Sequence, residues 1–199
     1  VSRQPKLAVL VSGGGRSLEN LVEKIDAGEL ACRVALVVSS TPKAFALERA
    51  RRHGIPHAVI DPDRKLGVDE YSRDLFAAIE SFECDTAVMA GFLRLVRIPP
   101  HWVGRVLNIH PSLLPAFGGK GFYGERVHRA VLERGVQFTG CTVHYVDNEY
   151  DHGPILLQRC VRVNEGETPE TLAERVFAEE KIALPEALRL HFERRAARS

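Results

Sequence analysis

The 199-residue sequence predicts an α/β fold built on a mostly parallel central sheet. Two observations carry this. Short runs that are apolar throughout, the mark of strands buried on both faces, alternate along the chain with stretches whose apolar residues recur at helical spacing. Breakers such as Gly28, Gly54 and Pro56 fall at the junctions between them.

Leu7 to Val11 is the first strand, an apolar run stopped by glycines. Ser17 to Gly28 is a helix: Leu18, Leu21, Val22 and Ile25 stand at i, i+3, i+4 and i+7, and Gly28 ends it. Val34 to Val38 is a second buried strand, and Ala44 to His53 a helix halted before Gly54 and Pro56. His57 to Ile60 is a short third strand, Glu70 to Phe82 a helix, Thr86 to Ala90 a strong strand and Arg105 to Asn108 a weaker one. Pro111 to Gly124 is rich in Pro, Gly and aromatic residues and reads as a loop. A short helix at Arg126 to Glu133 is followed by two strands, Cys141 to Asp147 and Ile155 to Val163. Thr168-Pro169 starts the last helix, with Thr as cap and Pro at the first position. That helix is expected to be kinked or interrupted at Pro185, and Arg194 to Ser199 to be a frayed basic tail. The whole reads as one domain, 1–199, Rossmann-like, with helices on both faces and a C-terminal strand pair and helix. Ligands of such sheets sit at the carboxyl ends of the strands.

Composition narrows the function. Apolar residues make up 45% and charged residues 27%, enough for a core and too apolar for a disordered chain. Lys and Arg exceed Asp and Glu by 27 to 26, so a duplex nucleic acid is a poor partner, while a small anion held by a few groups is not excluded. No apolar run reaches the ~18 residues that a membrane span needs. The sequence starts at Val1 without an initiator Met, which suggests trimming, and no signal-peptide pattern follows. Cys32, Cys84, Cys141 and Cys160 have neither CxxC nor zinc-site spacing and are expected to be buried reduced thiols, consistent with a cytoplasmic location.

Two stretches carry chemistry. Ser12-Gly13-Gly14-Gly15-Arg16-Ser17 joins the first strand to the first helix. A helix N-terminus offers backbone N–H groups to an anion, glycines allow close approach, and Arg16 adds charge. The natural ligand is a phosphate; the plain alternative is a tight turn. A dinucleotide GxGxxG would need glycine where Leu18 stands, and the Gly-Lys-Ser/Thr of a Walker loop is missing. The second stretch is Asn108-Ile109-His110-Pro111-Ser112-Leu113-Leu114-Pro115. Asn108 and His110, two apart in extended chain, share a face, and Pro111 favours that conformation. A carboxamide and an imidazole on one face can both donate to a developing oxyanion. A nearby carboxylate could charge the imidazole and move protons; Asp151 and Asp147 compete for this, and spacing does not choose between them. Ser112 lacks a GxSxG setting, Cys141 lies within a strand, and His128, His144 and His152 have no metal-site spacing.

Taken together, VLVSGGGRSLENL at 9–21, AFALERA at 44–50, AGFLRLV at 90–96, NIHPSLLP at 108–115, YDHGPILLQ at 150–158 and GETPETLAERVFAEEKIALP at 166–185 resemble the folate-dependent formyltransferases, and among them the phosphoribosylglycinamide formyltransferases. The likeness covers nearly the whole chain. It implies transfer of the formyl group of the co-substrate 10-formyltetrahydrofolate to the amine of glycinamide ribonucleotide, in purine biosynthesis and one-carbon metabolism, without a metal. It implies a catalytic trio of Asn108, His110 and Asp151, leaving Asp147 a structural part. By the same likeness Gly14, Gly15, Arg16 and Ser17 hold the substrate phosphate and Glu180 its ribose. Phe92, Leu93, Arg94, Leu95 and Val96 hold the folate's pterin, with Tyr145, Val146 and Asp147 bordering its pocket. The phosphate-binding half is then about 1–100, and the folate and catalytic half about 101–199. Ala116 stands where a basic residue can occur, and Lys120, in the loop 117–124, is a candidate replacement for that charge. The expected partners are small molecules, not nucleic acid or membrane, and the expected state is monomer or homodimer.

Methionyl-tRNA formyltransferase should show Trp-Arg-Gly after the SLLP stretch, whereas the single tryptophan here is Trp102. Formyltetrahydrofolate hydrolase would carry a further N-terminal domain. A folate- or phosphometabolite-binding protein is the non-enzyme alternative, opposed by the presence of Asn108, His110 and Asp151 together.

Overall fold

The strands expected to be buried on both faces are so. Leu7 to Val11 are 0% exposed on β1 (Lys6–Val11), which runs between β2 (Arg33–Ser39) and β4 (Thr86–Met89), parallel to both. The computed structural model describes residues 3–61 and 67–197. The start at Val1–Ser2 and the last two residues of the basic tail, Arg198–Ser199, lie outside the described residues. The fold is α/β with a seven-stranded, mostly parallel sheet, and the chain forms two compact units, residues 1–107 and 108–199.

In the first unit the strand order is β3-β2-β1-β4, with β3 at His57–Val59. The chain direction across the sheet reverses between β1 and β4, the kind of switch point where ligands of α/β sheets bind. The loops after these two strands meet there. The Ser12 N–H donates to Gly91 O at 3.0 Å, and the Ser12 hydroxyl accepts from the Leu93 N–H at 3.0 Å. Helices α1 (Arg16–Asp26), α2 (Ala46–Arg52) and α3 (Val68–Ser81) each bury an apolar stripe. That of α3 is Tyr71, Leu75, Phe76 and Ile79; Phe76 packs on Trp102 at 5.3 Å between ring centroids. Trp102 sits in a single 3-10 turn, Pro100–Trp102, that the sequence reading did not contain.

β5 (Val106–His110) starts in the first unit and ends in the second, two residues beyond its expected end at Asn108. In the second unit the order is β5-β6-β7. β6 (Phe138–Tyr145) and β7 (Ile155–Arg162) pair antiparallel, with Thr142 opposite Gln158. β6 starts earlier than expected because Thr139 and Gly140 are already buried against the partner strand. Between β5 and β6 lies α4 (Glu125–Arg134).

The last helix, α5, runs unbroken from Pro169 to Ala196. Thr168 caps it as expected, accepting from the Thr171 N–H at 3.3 Å. The expected interruption at Pro185 is absent. Pro185 lies in the buried stripe with Leu184, Ala187 and Leu188, and packing of that stripe offsets the one backbone bond that proline removes. Arg194 and Arg195 belong to the helix and not to a frayed tail. Cys32, Cys84 and Cys141 are buried free thiols, while Cys160, expected to be buried, is exposed on β7.

α5 also buries His191 completely, its Nδ1 3.3 Å from the Tyr145 hydroxyl. Burial, helped by Arg195 and Arg194, pushes this imidazole from its ordinary 6.5 down to about 4. The unfolded chain therefore takes up a proton at His191 that the folded chain refuses, and stability falls as pH drops from about 6.5 to 4. His110 and His128, also lowered by burial, act in the same direction. In urea unfolding at pH 7 and pH 4.5, wild type is expected to lose about 2 kcal/mol more than His191→Gln. Equal losses would show that His191 is not held neutral.

Candidate active site

The end of β5 presents Asn108 and His110 on one face, as their spacing requires, and both reach one carboxylate. Asn108 Nδ2 donates to Asp151 Oδ1 at 3.2 Å, and His110 Nδ1 lies 3.4 Å from Asp151 Oδ2. Asp151 comes from the loop joining β6 to β7 and adopts φ 52°, a left-handed conformation uncommon for a residue with a side chain. The following Asp-His-Gly-Pro turn needs its glycine: a Cβ on Gly153 would collide with the Tyr145 carbonyl. Asp147, the competitor, turns elsewhere. It accepts from His152 Nδ1 at 2.7 Å and from the Glu149 N–H at 2.8 Å, so it closes the turn.

Backbone groups complete the shell around Asp151. Oδ2 accepts from the Gly119 N–H at 2.9 Å, and His110 Nε2 lies 2.9 Å from the Phe117 carbonyl. Burial alone would push the Asp151 carboxyl up; His144, His110 and the Gly119 N–H outweigh it and hold the group below its ordinary value. His110 behaves oppositely. Burial pushes it down, Asp151 and the Phe117 carbonyl oppose this, and burial wins. The imidazole is thus held below its ordinary value despite the carboxylate beside it. The ring has one proton and two acceptors, Asp151 and Phe117 O, so a second proton has a place prepared.

His144, weighed in the sequence only as a metal ligand, belongs to this cluster. Its Nδ1 lies 2.9 Å from the Tyr145 carbonyl, which can only accept, so Nδ1 carries the proton. Nε2 is then an acceptor, and Asn108 Nδ2 donates to it at 3.1 Å. Both amide protons of Asn108 are thus engaged, which fixes the direction of the carboxamide. Thr142, on the same face of β6, fixes the loop after β5. Its hydroxyl donates to Ser112 O at 2.7 Å and accepts from the Leu114 N–H at 3.0 Å. Ser112 is buried and donates to Ala116 O at 2.6 Å, which agrees with its weak standing as a nucleophile. Cys141 is inert by the same logic, its thiol pushed up to about 12 by burial.

In the first unit Gly15 precedes α1 with φ 74°, and an added Cβ would lie 2.6 Å from Ala46 Cβ. Gly14 and Arg16 are exposed, and Ser17 is half-buried. Arg49 braces the loop: its Nε donates to Gly14 O at 3.0 Å and its Nη1 to Glu19 at 2.5 Å. Glu19 also holds His53 Nε2 at 2.8 Å, and these two partners keep its carboxyl below the ordinary value. Neither Arg49 nor Glu19 was singled out in the sequence; charged residues inside the ERA and SLENL motifs were the available signal. Phe92 and Val96 are buried, Leu95 is half-buried, and Leu93 and Arg94 are exposed. In the second unit Tyr145, Val146 and Asp147 are half-buried, Lys120 is exposed, and Glu180 is half-buried on α5. Among the described residues no three or more His, Cys, Asp or Glu side chains are grouped to hold a metal, and no helix is long and apolar enough to cross a membrane.

The chain is similar to proteins already known. Residues 5–188 match the family profile described as formyl transferase. The chain is 43% identical over 181 residues to the chloroplastic phosphoribosylglycinamide formyltransferase of Arabidopsis thaliana, covering 89% of this chain and 62% of that protein. It is 35% identical over 181 residues to the phosphoribosylglycinamide formyltransferase of Escherichia coli K12, covering 90% of this chain and 83% of that protein. The crystal structure of glycinamide ribonucleotide transformylase 1 from Symbiobacterium toebii superposes with a TM-score of 0.88 at 41% identity, over 96% of this chain and 88% of that one. The chain spans less than two thirds of the length of the plant and animal relatives that it matches at 42–43% identity. With a family profile matching most of its length, this chain belongs to the formyl transferase family.

Proposed function

We propose that this chain transfers the formyl group of 10-formyltetrahydrofolate to the amine of glycinamide ribonucleotide, a step of purine biosynthesis. The observation that carries this is the convergence of Asn108, His110 and Asp151 in a formyl transferase whose relatives bear the name phosphoribosylglycinamide formyltransferase.

The amine attacks the formyl carbon, a C–N bond forms, and the carbonyl oxygen becomes an oxyanion beside a cationic nitrogen. Asp151, ionised and in contact with both other members, takes the amine proton directly or through water. Asn108 donates to the oxyanion after giving up its bond to Asp151, at 3.2 Å the longer of its two bonds. The growing negative charge raises the proton affinity of His110, whose two acceptors are already in place. The bond from carbon to the folate nitrogen then breaks, and that nitrogen takes the proton from the Asp151–His110 pair. These steps call for no metal or redox group. In this reading Gly14 to Ser17 hold the phosphate, Glu180 the ribose, and Phe92 to Val96 with Tyr145 to Asp147 the folate. Lys120 adds the charge that Ala116 lacks, one domain does the work, and it acts in the cytoplasm as monomer or homodimer.

Purified protein with 10-formyltetrahydrofolate is expected to release tetrahydrofolate only when glycinamide ribonucleotide is added. His110→Ala should lower kcat by roughly 100–1000-fold, and Asp151→Asn by at least as much. Equal turnover without the ribonucleotide would make water the acceptor and overturn the proposal. Gly15→Ala places a Cβ against Ala46 in a left-handed conformation and so distorts the phosphate loop. It is expected to raise KM for the ribonucleotide about 10-fold or more while leaving KM for the folate within about 2-fold, the range expected of a lost charge-assisted contact. A parallel rise in both would remove the phosphate role from this loop.

A further inference from the structure

We infer that Gln158, on β7 and outside the catalytic trio, is a positioning residue that holds His110 and Asp151 in their reactive arrangement. This rests on the reading of that trio as the formyl-transfer site.

Gln158 faces Thr142 across the β6–β7 pair, and its carboxamide reaches past Thr142 to the loop that follows β5. Nε2 donates to the Leu114 carbonyl at 3.0 Å and to the Thr142 hydroxyl at 2.9 Å. With these bonds Thr142 Oγ1 accepts two hydrogen bonds and donates one, the full capacity of a hydroxyl. Gln158 thereby pins Leu114 directly and, through Thr142, fixes the direction in which that hydroxyl holds Ser112 and Leu114.

Three residues beyond Leu114 the same loop supplies the Phe117 carbonyl to His110 Nε2, and two residues later the Gly119 N–H to Asp151 Oδ2. Phe117 adopts φ 54°, a left-handed conformation that a bulky residue keeps only when its surroundings impose it. Asp151, at the other end of this set of bonds, is in the same region of backbone space. A loop anchored at Ser112, Leu114 and Ala116 supplies that constraint, and Gln158 is its anchor from β7. Freeing the Leu114 carbonyl lets the loop relax, which lengthens the Phe117–His110 contact and moves Gly119 from Asp151. Gln158 is an exposed residue, so its replacement opens no cavity in the core.

The test uses Gln158→Met, of similar length but without a donor, and Gln158→Glu, of the same shape but with an acceptor turned toward the Leu114 carbonyl. Both are expected to lower kcat by roughly 10–100-fold, up to the loss that a misplacement of about 1 Å at the reacting groups costs, with KM for the ribonucleotide and for the folate within about 2-fold of wild type. Nitrogen-15 NMR of the His110 ring supplies a readout independent of activity: the Nε2 proton, protected in wild type, is expected to exchange faster in both variants. Wild-type kcat with unchanged His110 resonances would overturn the inference, as would a fall in kcat accompanied by an equal loss of ribonucleotide binding. If wild type itself does not formylate the ribonucleotide, the proposed function fails, and His110 exchange alone decides whether Gln158 holds the cluster.

Discussion

A mostly buried carboxylate, that of Asp151, held below its ordinary pKa is the constraint from which the rest of the site follows. Removing a charge from water is costly unless hydrogen bonds and opposite charge replace what water supplied. For Asp151 the hydrogen bonds come from the Asn108 amide and the Gly119 N–H, and His110 Nδ1 and His144 Nε2 lie 3.4 and 3.8 Å from its oxygens. They come from three parts of the second unit: Asn108 and His110 from the end of β5, Gly119 from the loop after it, and His144 from β6. The antiparallel hairpin of β6 and β7 supplies Asp151 itself, and α5 lies against that hairpin. Long helix, hairpin and glycine-rich loop can thus be understood as the means of delivering one charged oxygen pair to one place.

The same economy explains the charge states. Burial works against ionisation of both Asp151 and His110, yet the two respond differently. The Asp151 carboxyl, with two donors on it, is held below its ordinary value; the His110 imidazole, beside one carboxylate and one carbonyl, is lowered by burial. A neutral imidazole beside an ionised carboxylate is a pair with room for one more proton. Such a pair suits a reaction in which an amine must lose a proton and a leaving nitrogen must gain one. Backbone strain is stored where this geometry is made. Phe117 and Asp151, both left-handed, are the residues whose backbone or side chain contacts His110.

Much of this was legible in the residues themselves. Apolar runs such as Leu7 to Val11 and Val34 to Val38 marked strands covered on both faces, and the period of Leu18, Leu21 and Val22 marked a helix. Asn108 and His110 were legible because a spacing of two in a strand puts side chains on one face. The choice between Asp147 and Asp151 was not, since both lie in one turn and only its path shows which carboxylate points inward. His144, Thr142 and Gln158 were illegible for a related reason: their roles depend on the register of β6 against β7, and no local signal sets that register. The backbone groups of Phe117 and Gly119 have no signature in side-chain chemistry at all. Pro185 misled because the helix-breaking rule weighs one lost hydrogen bond, whereas the buried stripe of α5 weighs many contacts.

The ionisation of Asp151 is open to direct measurement. Carbon-13 labelling of aspartate, with Asp151 assigned by its loss in Asp151→Asn, allows its carboxyl resonance to be followed from pH 7 downward in the ligand-free protein. A carboxylate held by Asn108, Gly119 and the histidines titrates with a midpoint below the ordinary 3.8. A midpoint above that value would mean that burial outweighs the hydrogen bonds, that the pair holds its proton on Asp151, and that the direction of proton transfer assigned to the site is wrong.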